Sequence, residues 1–250
     1  MIAADTNDDI NNATNSDRET NVAYNAYYHG VQALGGSFNF DVKYITRANK
    51  TDPAADNGVG AAITYNRDYY GFDGWSQTGI AYGYGAAANR GVNFGAWSGD
   101  NTFTDDSNSI FLTSYGVANV TDNLQIGTEL VYWALDNKDD RQVWGQDDVQ
   151  RLFVGVTPSY KINDNFRMEA VLTYANEMLD DGSAWGRDKD DTSFVTATLA
   201  PVFTVNADYW GRPQIKPYVT YMTSSDDDYA WAKDSKGDET RFGVEAEIWF

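Results

Sequence analysis

The chain contains no cysteine. That excludes a disulfide framework, a thiol nucleophile and any Cys-ligated zinc. A single histidine, His29, excludes multi-histidine metal sites. Basic residues are scarce: 18 Lys and Arg stand against 37 Asp and Glu in 250 residues, a formal charge of −19. Binding to a phosphate backbone needs clustered Lys and Arg, so a nucleic-acid partner is excluded. No apolar run of about 18 residues occurs, so no transmembrane helix is expected. Met1 to Asn11 lack a basic start and an apolar core, so no signal peptide is expected. There is no Gly-rich phosphate loop with Lys and no dinucleotide fingerprint. His29 falls in a Gly-containing short link with no nucleophile motif beside it, so a turn residue is expected there, and no enzyme.

Aromatic residues are abundant. They make 15% of the chain, with 17 Tyr, 12 Phe and 8 Trp, although the mean hydropathy is −0.53. So many rings argue against disorder. Many Tyr and Gly without long apolar runs suit an all-β protein with alternating faces. Two classes fit: carbohydrate-binding β-sandwiches and outer-membrane barrels.

The hydrophobic period is two. Phe242, Val244, Ala246, Ile248 and Phe250 share one face, and Arg241, Gly243, Glu245, Glu247 and Trp249 share the other. Leu124, Ile126, Thr128, Leu130 and Tyr132 oppose Gln125, Gly127, Glu129, Val131 and Trp133. The segments from Arg151 to Tyr160 and from Phe166 to Tyr174 alternate in the same way. Further strands are predicted near 20–28, 37–46, 59–67, 75–84, 107–117, 192–204 and 214–223. Eleven strands plus a stub at residues 1–5 make an even twelve, in one domain over 1–250.

The links alternate in length. Short ones fall near His29–Gly36, Asp68–Gly74, Ala118–Asp122, Lys161–Asp164 and Val205–Arg212; long, polar ones lie between them. Short turns on one rim and long loops on the other is the layout of an outer-membrane barrel. Strands of about 9–11 residues cross a bilayer when tilted. Aromatic pairs at strand ends (Tyr27–Tyr28, Tyr69–Tyr70, Tyr132–Trp133, Tyr209–Trp210) predict interfacial girdles. The closing Phe250 resembles the C-terminal signature of bacterial outer-membrane proteins.

The stretch Asp208-Tyr-Trp-Gly-Arg-Pro-Gln-Ile-Lys-Pro-Tyr-Val-Thr-Tyr221, an acidic loop, and then Arg241-Phe-Gly-Val-Glu-Ala-Glu-Ile-Trp-Phe250 resemble the last two strands of maltoporins. These are the sugar-specific porins of the outer membrane. The likeness continues more loosely through Val149–Tyr160, Asp164–Tyr174 and Gly60–Tyr84. It implies a transmembrane antiparallel up-and-down β-barrel that passes maltodextrins or related oligosaccharides by facilitated diffusion, as a homotrimer in contact with lipid and lipopolysaccharide. Family barrels have eighteen strands and longer chains, so this chain matches about their later two-thirds and starts partway through a strand. The family's inward-folded third loop would lie in the part not matched.

The same resemblance points to an aromatic slide. Trp249 shares parity with Glu245 and Glu247, and Trp210 with Arg212, Gln214 and Lys216, so both are expected in the lumen. Trp75 aligns with a third slide aromatic, and Tyr218 is lumenal by parity. For each Trp an interfacial belt role is the alternative. Glu129, Arg151, Arg167, Glu169, Lys216, Arg241, Glu245 and Glu247 are lumenal by parity. Interleaved cations and anions suit hydroxyl recognition through charge-assisted bonds. Arg212, Arg241 and Glu247 are the expected polar track beside the rings, with Glu245 and Lys216 next to them.

No cofactor is expected. The acidic runs at Asp105–Asp106, Asp147–Asp148, Asp188–Asp191 and Asp226–Asp228 read as solvated loop acid, with loose calcium bridging as the alternative. Two further readings stay open: a smaller channel for ions or acidic sugars, and a soluble β-sandwich that binds carbohydrate through exposed Trp.

Overall fold

The computed structural model describes residues 2–6, 20–48, 57–88, 104–137, 148–181, 190–226 and 237–249. They form twelve strands: β1 Ile2–Thr6, β2 Thr20–Ala33, β3 Gly36–Ala48, β4 Asn57–Tyr69, β5 Phe72–Gly85, β6 Asn108–Asn119, β7 Leu124–Asp136, β8 Asp148–Asn163, β9 Phe166–Leu179, β10 Asp191–Thr204, β11 Gln214–Ser224 and β12 Asp238–Glu247. One sheet holds all twelve in sequence order, and each strand pairs antiparallel with its chain neighbours. The architecture is the expected all-β, up-and-down barrel wall. A sandwich needs two packed sheets with Greek-key crossings, so that alternative is overturned. β12 and β1 show no pairing among the described residues, which makes β12 an edge.

The short links lie on one rim. Three are two-residue turns, Leu34-Gly35, Tyr70-Gly71 and Asp164-Asn165. All four residues of the first two have positive φ: 53° and 78° in one, 53° and 97° in the other. That conformation is the type I′ turn, whose twist matches the flanking strands. His29 is not a turn residue. It lies in β2, which runs on to Ala33 past a bulge between Tyr28 and Val31. Gly30, at φ 82°, supplies the bulge that let the strand continue beyond its expected end. The His29 ring nitrogen lies 3.0 Å from Asp41 Oδ1.

The two faces separate as the period predicts. Leu172, Leu199, Phe203, Ile215 and Phe242 point outward and are exposed. The alternate positions point inward, and Lys43, Arg167, Glu169, Ala200, Val202 and Gln214 are buried there. An apolar outside with a polar inside suits a wall between lipid and water. Among the described residues no helix is long and apolar enough to cross a membrane, which says nothing of a strand barrel.

The expected girdles are only partly present. Tyr69 and Tyr70 lay their hydroxyls on Thr128 (2.8 Å) and Thr78 (3.2 Å). Tyr132 and Trp133, however, are neighbours within a strand, so they face opposite sides. Trp133 turns inward and is buried with Leu135, Val149, Leu179 and Ala88 at the long-link end. Tyr209 is drawn inward as well. Phe250 and the long-link residues Asp147, Asp188, Asp227 and Asp228 lie outside the described residues.

Candidate functional site: a lumenal aromatic and ionic track

The site is set by the register of β11 on β12. Gln214 faces Glu247, Lys216 faces Glu245, Tyr218 faces Gly243 and Thr220 faces Arg241. Because side chains alternate, all of these point into the lumen. Glu247 sits at the short-turn end and gathers three partners. Gln214 Nε2 donates to its Oε2 at 2.8 Å, and Trp249 Nε1 donates to its Oε1 at 2.7 Å. Arg212 Nε forms an ion pair with Oε2 at 2.7 Å. The Arg212 guanidinium also lies 4.6 Å from the centroid of the Trp249 ring, within the range of cation–π attraction. One carboxylate therefore fixes both the ring and the cation against it. The Trp210 ring stands 6.3 Å from Trp249 at 41°. Both indoles are about half exposed.

The charges continue along the wall. Arg167 Nη2 donates to Gln214 Oε1 at 2.6 Å and lies 3.6 Å from Glu169. Lys216 Nζ lies 3.5 Å from Glu169 and 3.4 Å from Glu245. Arg167, Lys216 and Arg212 thus balance Glu169, Glu245 and Glu247, three against three. Each charge is within ion-pair reach of an opposite one, as burial beside a low-dielectric wall requires.

The link at residues 205–213 joins this network by folding inward. Arg167 Nη1 donates to the Asp208 carbonyl at 2.9 Å. Gln125 of β7 holds the link at two points: its Nε2 donates to Asp208 Oδ2 (3.1 Å), and its Oε1 accepts the Tyr209 N–H (2.7 Å). The Tyr209 phenol lies on Gly127, where a Cβ would meet the hydroxyl oxygen at 2.1 Å. Burial is the main cause that pushes the Tyr209 phenol above its ordinary pKa. Arg212 Nη1 donates to the Tyr209 and Gly211 carbonyls, each at 3.1 Å.

The structure therefore brings together Trp210, Trp249, Arg212, Glu247, Lys216 and Glu245. It does not bring Arg241 to the rings. Arg241 pairs with Glu239 at 2.7 Å, and its eight residues of separation from Trp249 span about 26 Å in an extended strand. Shared parity set its face correctly but carried no information on height. Trp75 is on β5 and packs edge-on against Tyr115, with centroids 5.4 Å apart. Tyr218 lies over Gly243, where a Cβ would meet its ring at 2.5 Å.

Sequence reasoning missed two groups. One is the link anchor of Gln125, Arg167 and Tyr209; its available signal was Gly127 inside a strand, where glycine marks a close approach. The other is a cavity of about 320 Å³ toward the long-link end, lined by Phe111, Trp133, Phe153, Phe194, Arg151 and Glu177 among others. There Arg151 lies 5.5 Å from the Trp133 ring and pairs with Glu177. Among the described residues no three His, Asp or Glu gather as a metal site.

The family profile described as LamB porin matches residues 1–250. A maltoporin of Vibrio cholerae serotype O1 (El Tor Inaba N16961) is 27% identical over 235 residues, covering 87% of this chain and 54% of that protein. A maltoporin of Photobacterium profundum is 24% identical over 85% of this chain and 47% of its own length. Maltoporin 1 of Klebsiella pneumoniae is 22% identical over 100% of this chain and 59% of its own. The chain spans about half the length of these curated relatives. Among solved structures, NanC porin is similar at 14% identity and TM-score 0.38, covering 92% of this chain and 93% of that one. KdgM porin is similar at 12% identity and TM-score 0.31, covering 99% and 97%. The chain belongs to the LamB porin family and is an integral β-barrel protein of the bacterial outer membrane.

Proposed function

We propose that the chain lines a channel for neutral oligosaccharides, maltodextrins in the first instance, which cross down their gradient along an aromatic track. The observation that carries this is the pairing of Trp210 with Trp249 beside the Arg212–Glu247 ion pair. Indole faces offer stacking area to the apolar face of a pyranose. The ion pair beside them offers donors and acceptors to its hydroxyls. Stacking tolerates changes of register, and each hydroxyl can be handed on, so binding stays weak enough for release.

The balanced wall supports a neutral solute over an ion. Arg167, Lys216 and Arg212 each lie within pairing distance of a carboxylate, so the cations here are screened at short range. Trp75, edge-on to Tyr115, is placed as a further station, and Tyr218 as a ring above Arg212 and Glu247. Names of the relatives support maltodextrin as the substrate. Assembly as a homotrimer, in contact with lipid and lipopolysaccharide, is part of the same proposal.

The test is single-channel current in a planar bilayer, titrated with maltohexaose. Saturable block by maltohexaose, and none by an uncharged non-glucan sugar, is the expected result. Open steps that maltohexaose never blocks would refute the sugar track while leaving a channel.

A further inference from the structure

We infer that the link at residues 205–213 is the size-determining constriction at the short-turn end of the pore, with Tyr209 as its spacer. The inference rests on the channel reading but not on the identity of the sugar.

A short barrel turn has no need to reach its own interior. The other short links close within two to four residues. This one has nine residues and folds over the inner wall of β8 and β9 to reach β7. Three inter-strand spacings separate β10 from β7, about 14 Å along the sheet. Gln125 grips the far side of the link through both ends of its amide, and buried Arg167 grips it from below through the Asp208 carbonyl. Ala207 is buried and its N–H donates to the Asp164 carbonyl at 2.9 Å. A link fixed from β7, β9 and a neighbouring turn is a rigid shelf.

Tyr209 sets the height of that shelf. Its phenol fills the place that Gly127 leaves in the wall, so the backbone at Tyr209 is held off the wall by the ring. Trp210 follows directly and is half exposed. A solute that leaves the Trp210–Trp249 pair must therefore pass the shelf, and pore diameter at this height follows the Tyr209–Gly127 contact. Narrowing by side chains and backbone at close quarters is how pores set size limits.

Two substitutions shift the shelf in opposite directions. Tyr209→Ala removes the spacer and lets the link settle on the wall. Gly127→Leu adds a side chain under the phenol and lifts it. Folding is checked by boiling-dependent mobility in SDS gels. Open-channel conductance in a planar bilayer is then expected to rise by about 1.5-fold or more for Tyr209→Ala and to fall by a similar factor for Gly127→Leu, since conductance follows the narrowest cross-section. The double variant, with leucine in the space of the phenol, is expected to return toward the parent value. If Tyr209→Ala does not fold, Tyr209→Leu keeps an apolar side chain over Gly127 but shortens the spacer, and a smaller rise of the same sign is expected. Unchanged conductance in the folded variants, or a change of the same sign in both single variants, would overturn the inference. Maltohexaose block is read in the same traces: its loss with the conductance pattern intact would count against the sugar track alone.

Discussion

Glu247→Gln is the most informative single change in the track, because it keeps the shape and removes one charge. The carboxylate accepts from Trp249 at 2.7 Å and Gln214 at 2.8 Å and lies 2.7 Å from Arg212 Nε as an ion pair. A glutamine oxygen can still accept from the indole. Its NH₂ group must then face Gln214 Nε2 and the Arg212 guanidinium, both donors, so both of those contacts fail. The Arg212 side chain is 14% exposed and that of Glu247 is 31% exposed. An exposed pair is worth about 0–1 kcal/mol, and breaking a buried one costs about 3–5 kcal/mol. This half-buried pair lies between, so a stability loss of about 1–2 kcal/mol is expected. Arg212 also loses its tether over the Trp249 ring. If that pairing contributes about 1 kcal/mol to sugar binding, the maltohexaose dissociation constant rises about fivefold. The substitution removes one negative charge from the wall and leaves Arg212 without its counter-charge. The reversal potential in a salt gradient should therefore move toward anion preference. Both readings come from one bilayer preparation, with unfolding in urea as the stability assay. Unchanged sugar affinity together with unchanged ion preference would refute the claim that this pair organises the lumen.

Trp249→Ala should weaken maltohexaose block by about 1–3 kcal/mol, by analogy with ring stacking on nucleobases, with little reduction in open conductance. Leu172→Arg places a cation on the exposed outward face near the middle of β9 and should cost about 2–4 kcal/mol in lipid, whereas Thr173→Arg next to it, facing the lumen, should cost far less; equal costs in urea unfolding would contradict the assigned faces. Arg167→Met leaves Glu169, Gln214 and the Asp208 carbonyl without their buried donor and should destabilise the barrel by about 3–5 kcal/mol, read as a shift in the urea midpoint. Gly243→Val puts a branched carbon against the Tyr218 ring and should displace it, which tyrosine fluorescence and sugar block would both register.

Most of the barrel was legible from the period of two. Phe242, Val244 and Ile215 face out and Glu245, Glu247 and Lys216 face in because a pleated strand leaves no other choice. Strand number followed from the alternation of short and long links, and even the stub at Ile2–Thr6 pairs with β2. The errors have different causes, and one is that parity tells the face of a residue but not its height or what lies above it. Arg241 was grouped with the rings by face and lies far from them by height. Trp133 was grouped with Tyr132 by position and is turned inward by parity. His29 was placed in a turn because Gly30 follows it, although a bulge uses glycine as readily as a turn does. The inward fold of the 205–213 link is set by contacts 83 and 84 residues apart in sequence, from Gln125 to Asp208 and Tyr209, and no local pattern encodes such a pair.

The charge of −19 and the balanced lumen belong together. Acidic side chains on the inner wall sit against a low-dielectric sheet and must be paired, whereas Asp226, in an acidic run expected to be solvated, is buried. Glu169 and Glu245 share Lys216, and Glu247 holds Arg212, so the wall shows both signs at short range and neither at long range. A hydroxyl donates and accepts at once, so it can bridge a carboxylate and a guanidinium that already lie side by side. On the function proposed above, the pairing that makes the wall stable is also what would favour a solute rich in hydroxyls over one that carries charge.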